Sequence, residues 1–371
     1  MGSKILVGFI EDGRHSGIDR YLLNFLKTAN SKGVKIDFLT SVYDSSLAKI
    51  LNQSGSRLFS VPSLKSPLAQ YKAIKKIISE GDYYEAYFNI SEPLNCIGPI
   101  CAKKQGLPVL VHSHNSGIDS GSAAKRSFRK IINAVCRPFL NKCCDKRLTC
   151  SKKAAKWLFG GKSESAVTIF NAADTEKFKF DPDIRSQVRE DLGLGESDKA
   201  VGFVGHLCYQ KNPEFMISVF DQIHKKDSSA RLFICGCGVM QKETERLVSE
   251  LEISDSVCFL GVRSDVERLM QAFDILLLPS RFEGLPMVAV EAQMCGLPVL
   301  MSDSVTEECI IGRTAEQLPL SFSAKLWAEK AISLSGAGHT PHIDENSIKK
   351  FSLEFQREQA FNDIISFGGR Y

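Results

Sequence analysis

The sequence predicts an α/β protein built from two doubly wound domains that face each other. Three observations lead there. Short apolar runs alternate with amphipathic segments, the pattern of βαβ units and a parallel sheet. The pattern is interrupted by a polar, charged stretch at 181–200 and then restarts. The length of 371 residues is long for one core and comfortable for two. The boundary falls between 180 and 181, with the second domain running to 349 and a last helix after it.

The elements follow in order. Residues 4–10, with Ile5, Leu6 and Val7, read as the first strand, and 11–17 as a glycine-containing loop. A helix over 18–31 stops near Gly33, and 34–40 is a second strand. Later strands of the same sheet are 87–90, 109–111, 148–151 and 167–170. In the second half, 201–204 is a strand and 212–225 a helix. Asn212 suits its cap and Pro213 its first residue, where a missing N–H is harmless. A strand at 230–235 ends in Gly236-Cys237-Gly238, followed by a helix over 242–251, a strand over 257–260, a helix over 264–273 and a strand over 274–278. The last helix, about 352–365, carries an apolar stripe of Phe351, Phe355, Phe361 and Ile365. In open α/β sheets ligands lie beyond the carboxyl ends of the strands, so the space between the domains is the expected site.

Apolar residues make up 43% and charged residues 24%, the balance of a soluble globular chain. The net charge of +4 is too mild to name an acidic partner. Its distribution says more. Residues 123–157 hold eleven Lys and Arg side chains against a single acid, Asp145. Phe128, Ile131, Ile132, Val135, Phe139 and Leu140 repeat there at helical spacing. A basic amphipathic helix of this kind reads as a membrane-surface element or as a core-packed helix with a solvated basic face. Nucleic-acid binding is not expected, because no recognition motif with interleaved aromatics accompanies the charge. The 12 cysteines are scattered and form no Cys-x-x-Cys pair, which argues against a zinc site and for a reducing, cytoplasmic compartment. The start runs straight into a strand, so no secretory signal is expected. Leu6 breaks the myristoylation pattern, and no apolar run reaches membrane-spanning length.

The most informative stretch is Ser280-Arg281-Phe282-Glu283-Gly284-Leu285-Pro286, after the apolar run 275–278. It leads through Glu291-Ala292 to Gly296-Leu297-Pro298-Val299, a helix stop and a buried strand. The order is strand, loop, helix, strand. Gly284 lets a ligand approach the backbone. Pro286 reads as the first helical residue. Unpaired N–H groups and the helix dipole then face the loop, a natural diphosphate site. Glu283 precedes the helix and Glu291 lies about two turns inside it, so two acceptors are spaced along an anion site.

This string resembles the Glu-x7-Glu motif of retaining, nucleotide-sugar-dependent glycosyltransferases of family 4, whose GT-B fold pairs two Rossmann-like domains. The similarity runs over about 4–365. Bacterial capsule and exopolysaccharide glycosyltransferases share strings such as His112-Ser113-His114-Asn115, Trp157-Leu158-Phe159-Gly160 and Glu291-Ala292-Gln293. The resemblance implies that the tail from about 350 to 371 crosses back to the first, acceptor-binding domain, and that the second domain binds the nucleotide sugar.

It also implies roles. Gly205-His206-Leu207-Cys208-Tyr209-Gln210-Lys211-Asn212 looks like the family segment Gly-Arg-x-x-x-x-Lys-Asn, in which Arg and Lys grip the donor diphosphate. Lys211 matches. His206 stands where the family has Arg, and a neutral imidazole offers one donor where guanidinium offers five. Glu291 would accept from the ribose hydroxyls and Glu283 from the sugar hydroxyls, with Gly284, Leu285 and Pro286 along the sugar ring. Gly236 and Arg263 would border the nucleotide base. Asn171 to Phe178 is similar to the family's Asn-Gly-Val-Asp-x-x-x-Phe at the domain junction, where its role is structural. The family often has a histidine past the strand that begins here after Pro108, touching the transferred hexose, and His114 matches best by position. Metal ligation by the His-x-His pair and a purely structural histidine are the other readings. Gly13-Arg14-His15-Ser16-Gly17 replaces the family's Gly-Gly pair near the donor phosphate, with Gly17 kept.

The implied activity is transfer of a hexosyl or N-acetylhexosaminyl unit from a nucleotide sugar, a UDP-sugar above all, to a hydroxyl of a lipid-linked saccharide. No metal or other cofactor is expected. The implied place is the inner face of the cytoplasmic membrane, reached through 123–157. The alternative is a catalytically impaired member that binds nucleotide sugars or serves as a scaffold, which His206 in place of Arg would support.

Overall fold

The computed structural model describes residues 4–11, 17–119, 121–339, 343 and 345–367. The chain divides into two compact units, Met1–Ala172 with Leu353–Tyr371, and Ala173–Ser352.

The first unit has strands β1 Lys4–Gly8, β2 Lys35–Thr40, β3 Leu58–Ser60, β4 Tyr83–Ile90, β5 Val109–Ser113, β6 Lys146–Thr149 and β7 Ala166–Thr168. Its helices before the tail are α1 Gly17–Ser31, α2 Ser45–Gln53, α3 Pro67–Glu80, α4 Ile97–Lys104, α5 Ala123–Cys143 and α6 Lys152–Phe159. The seven strands are parallel in the order β3-β2-β1-β4-β5-β6-β7. Ile5 and Val7 pack with α1 on one face, and Leu6 packs with Phe88 and Val111 on the other. Two-sided burial is why these strands read as apolar runs rather than as alternating patterns.

The second unit repeats the plan. It has α7 Pro182–Asp191, β8 Ala200–Val204, α8 Pro213–His224, β9 Arg231–Cys235, α9 Gln241–Glu250, β10 Val257–Gly261, α10 Val266–Ala272 and β11 Ile275–Leu278. It continues with α11 Met287–Met294, β12 Val299–Ser302, β13 Ala315–Leu318, α12 Ala324–Ser335 and α13 Glu345–Lys350. Its six parallel strands run β10-β9-β8-β11-β12-β13. Both sheets reverse winding between their first and fourth strands, and a doubly wound sheet opens its ligand crevice at such a switch point.

The tail returns to the first unit, as the resemblance implies. α14 Leu353–Ala360 and a π-helical turn Phe361–Ile365 pack on α1, with Ala360, Ile364 and Ile365 in its core. Gln356 and Gln359 donate to the carbonyls of Phe170 and Thr168, and Lys146 pairs with Asp363 at 2.9 Å. The expected single stripe is divided. Ile365 and part of Phe361 serve the first unit, whereas buried Phe351 belongs to the second. Helices also fill 45–53, 67–80, 97–104 and 324–335, to which the sequence pattern assigns nothing.

Helix α5 leaves most of its apolar stripe outside the core. Leu140 is in the core and Ile132 is half-buried, while Phe128 (63%), Ile131 (63%), Val135 (61%) and Phe139 (56%) stand exposed. The opposite face is held by Asn133, which accepts from the Leu94 amide and donates to Glu92, and by an Arg129–Glu92 pair. Ser122 caps the helix start. No described helix is long and apolar enough to cross a membrane. All twelve cysteines are free thiols.

Candidate active site

The carboxyl ends of β8, β9 and β11 carry the loops singled out in the second unit. The β8 loop turns at Gly205 and runs through Lys211 into α8. The β9 loop begins at Gly236, whose φ of 134° suits glycine. A Cβ on Gly236 would stand 2.0 Å from the Gly205 carbonyl oxygen, so the two loops touch backbone to backbone. Two bonds tie this contact, from Gly205 N to Cys235 O and from Leu207 N to Cys237 O.

The β11 loop brings Glu283 to Lys211. Lys211 Nζ lies 2.7 Å from Glu283 Oε1, and both side chains are largely buried. Gln210 Nε2 donates to Glu283 Oε2 at 2.8 Å. Arg281 staples the same loops together. Its amide donates to Gln210 O, its guanidinium donates to Tyr209 O and pairs with Glu214, and it stacks 4.4 Å over the Tyr209 ring. Gly205 sits against the Lys211 stem, where a Cβ would come within 3.1 Å of Lys211 Cε.

The other residues expected at the donor site fall on the β8, β10 and β11 loops and on α11. His206 is exposed on the β8 loop. Gly284, Leu285, Pro286 and Glu291 are buried. Pro286 is not the first helical residue. It caps α11 with φ −76° and ψ 96°, so Glu291 sits one turn inside α11, not two. Asn212 precedes α8 as expected, but in the left-handed region at φ 58° and without a side-chain capping bond. Arg263 is exposed on the β10 loop and turns onto Asp265 through a two-point contact of 2.8 and 2.7 Å. That pairing lowers the Asp265 pKa and raises that of Arg263.

The first unit holds the histidine pair. Strand β5 delivers His112 and His114 to one side, with their rings 3.9 Å apart. Tyr87 contacts Tyr21 hydroxyl to hydroxyl at 3.0 Å and His112 Nδ1 at 2.6 Å. His114 Nε2 lies 2.8 Å from Asn89 Oδ1. Burial pushes His112 well below the usual imidazole range and His114 down to about 3, so both rings are neutral near pH 7. Burial also raises Tyr87 and Tyr21. Among the described residues no group of three or more His, Cys, Asp or Glu side chains is placed to hold a metal ion.

Beyond β1, β2, β3 and β4 lies a cavity of about 360 Å³ whose wall includes Phe9, Ile10, Asp19, Gln70 and Asn89. Gly17 is exposed at the first residue of α1, and the loop segment Gly13-Arg14-His15-Ser16 lies outside the described residues. The sequence pattern assigns no role to Gln210, Asn89 or Tyr87, although Gln210 lies inside the β8-loop string 205–212 and Asn89 is a lone amide near the end of an apolar strand.

Residues 184–329 match the family described as "Glycosyl transferases group 1". EpsF of Bacillus subtilis (strain 168), whose name places it among glycosyltransferases, is 27% identical over 339 residues, covering 87% of this chain and 85% of that one. The UDP-Gal:alpha-D-GlcNAc-diphosphoundecaprenol alpha-1,3-galactosyltransferase of Escherichia coli is 27% identical over 272 residues, 69% of this chain and 68% of that one. The crystal structure of Anabaena Alr3699/HepE in complex with UDP-glucose superposes with a TM-score of 0.79 at 19% identity, over 98% of this chain and 100% of that one. At that identity the likeness speaks for the fold. Fold, family match and relatives together support a glycosyltransferase of the GT-B fold.

Proposed function

We propose that this chain is a retaining glycosyltransferase of family 4 that moves a hexosyl or N-acetylhexosaminyl unit from a UDP-sugar to a hydroxyl of a lipid-linked saccharide, in capsule or exopolysaccharide assembly. The observation that carries the reading is the Lys211–Glu283 pair with Gln210, held where the β8 and β11 loops meet. An arriving diphosphate takes the ammonium, and the carboxylate is then released to sugar hydroxyls. Two relatives add support. One carries UDP-Gal and a lipid diphosphate in its name, and the other was crystallised with UDP-glucose.

In this reading Lys211 stabilises the charge that develops on the leaving diphosphate, and stabilising such charge is the strongest catalytic effect open to a reaction of this kind. The first turn of α11, after Gly284, Leu285 and Pro286, adds the positive end of its helix dipole. Glu291 binds the ribose, and Gly205, Gly236 and Arg263 line the nucleotide. His206 contributes one donor. His114, neutral, contacts the hexose as a hydrogen-bond partner and not as an acid. The acceptor hydroxyl attacks the anomeric carbon on the face the diphosphate leaves, and its proton passes to a β-phosphate oxygen, so the configuration is retained without a protein base or a metal. The first unit binds the acceptor and rests on the inner membrane face through α5, whose exposed Phe128, Ile131, Val135 and Phe139 lie among exposed Lys125, Lys130 and Lys142.

The test is a binding and hydrolysis screen over UDP-, GDP- and TDP-sugars with EDTA present, beside Glu283→Ala and Lys211→Ala. One nucleotide sugar bound or slowly hydrolysed, and lost in both variants, is the expected result. No response to any nucleotide sugar would replace the reading with that of a binding or scaffold protein, with His206 as the first position to convert to Arg.

A further inference from the structure

Asn89 ends up in an unusual position for an amide. It lies near the end of β4, opposite His112 of β5, and is 4% exposed. Its Oδ1 faces His114 Nε2 at 2.8 Å. Its Nδ2 meets no hydrogen-bond partner among the described residues, although the side chain forms part of the cavity wall. His114 Nδ1 is likewise buried without a partner among them. Buried polar atoms left unpaired are rare and costly, and two so close together mark a place that a ligand completes.

An amide oxygen can only accept, so the Asn89 contact places the proton of the neutral His114 ring on Nε2 and leaves Nδ1 as a bare acceptor. The cavity, about 360 Å³, falls in the range of roughly 300–1,000 Å³ that holds small molecules. Its wall mixes polar groups, Ser63, Gln70, Asn89 and Ser91, and the charged Glu11, Asp19 and Lys65, with an apolar side at Phe9 and Ile10. Carboxylates and amides beside an apolar wall suit a ring with many hydroxyls and an apolar C–H face.

We propose that Asn89 is a positioning residue with two contacts: its oxygen holds His114 as the Nε2–H tautomer, and its nitrogen donates to a hydroxyl of a pyranose in the cavity. The tautomer stands on geometry alone, while the pyranose rests on the transferase reading above. The ring can belong to the donor or to the acceptor, and the chemistry at Asn89 is the same.

The experiment is nitrogen NMR of the full chain with labelled histidine, the His114 signals being identified by their loss in His114→Asn. The expected result is a protonated Nε2 and a bare Nδ1 in the free protein. Asn89→Asp keeps the oxygen and should keep Nε2 protonated. Asn89→Leu removes it and should shift protonation toward Nδ1. UDP-glucose is then titrated in one arm, and free N-acetylglucosamine with UDP in the other. A shift of the His114 Nδ1 signal in the first arm assigns the ring to the donor, and in the second to the acceptor. Asn89→Asp, which has lost its donor, should bind that sugar about tenfold more weakly, the size of one lost hydrogen bond. Nδ1–H in the free wild-type protein overturns the positioning role. Sugar binding by Asn89→Asp at wild-type strength overturns the hydroxyl contact. UDP alone is followed in the same samples, so failure of the nucleotide site shows up separately. Should Asn89→Leu fail to fold, the wild type and Asn89→Asp decide the matter.

Discussion

The Lys211 ammonium stands 2.7 Å from Glu283 Oε1 while Gln210 holds Oε2, so both carboxylate oxygens of Glu283 are engaged by consecutive residues of one loop. The pair is both structural support and candidate machinery, and the two roles separate by experiment. Lys211→Ala leaves a buried carboxylate short of its cation and should lower stability by about 3–5 kcal/mol. Adding Glu283→Ala to it should recover part of that loss. Urea unfolding of both single variants and the double variant measures the coupling. A double variant as unstable as the sum of the single changes would mean that the pair carries no interaction energy.

Gly236→Ala should be among the most damaging small changes in the second unit. Its new methyl group would meet the Gly205 carbonyl at 2.0 Å, in a backbone conformation that favours glycine. A loss on the order of 3 kcal/mol follows. Gly17→Ala, with nothing within 4 Å of its Cβ, is the matched control and should unfold close to wild type. Thermal melts of the two variants check the contrast.

Acid should weaken the first unit through its buried imidazoles. His112 and His114 have folded pKa values below the ordinary imidazole value, the latter at about 3. In the unfolded chain they titrate near 6.5. The proton therefore binds the unfolded state better. The stability held by their neutrality is full above about pH 6.5 and is lost as pH falls toward their folded values. Each contributes a slope of about 1.4 kcal/mol per pH unit in that window. His114→Asn should flatten the denaturation-midpoint profile between about pH 4 and 6 by one such share; an unchanged slope would show that His114 does not stay neutral.

The exposed face of α5 makes a prediction about membranes. Phe128→Ser with Val135→Ser should leave stability within about 0.5 kcal/mol, since both side chains already face outward. The same pair should weaken co-sedimentation with vesicles containing anionic lipid by tenfold or more, from the apolar area no longer buried in the bilayer. Lys130→Glu should weaken binding further and make the remainder less sensitive to salt. Equal sedimentation of all variants would remove α5 from the membrane reading.

Asp37 is the ionic anchor of the first sheet. Burial pushes its pKa up, but hydrogen bonds from the Arg57 side chain and amide and from the Tyr83 hydroxyl, with Lys4 nearby, bring it below the usual carboxylate value. Asp37→Ala should cost about 3–5 kcal/mol, because cations gathered around a buried site lose their partner. Denaturant unfolding reads this directly, and a loss below about 1 kcal/mol would show that solvent replaces the carboxylate.

Much of this protein was legible along the chain. Strands such as β1, β8 and β11 announced themselves because a parallel sheet is buried on both faces and leaves unbroken apolar runs. The loop from Ser280 to Pro286 and the Lys211 segment were legible because turn geometry and anion chemistry demand particular residues at fixed spacing. Other features depend on segments distant in sequence. Gln210 gains meaning only when the β8 and β11 loops meet, and Asn89 only when β4 lies beside β5. Whether Leu140 or Val135 faces the core is set by what packs against α5, since an amphipathic pattern shows that a helix has two faces and does not say which one finds a neighbour. The start of α11 one residue past Pro286 is likewise a backbone outcome, with Pro286 in extended geometry before it. Local propensity and periodicity are written along the chain. Partnership between side chains far apart in sequence arises only once the sheets have brought them together.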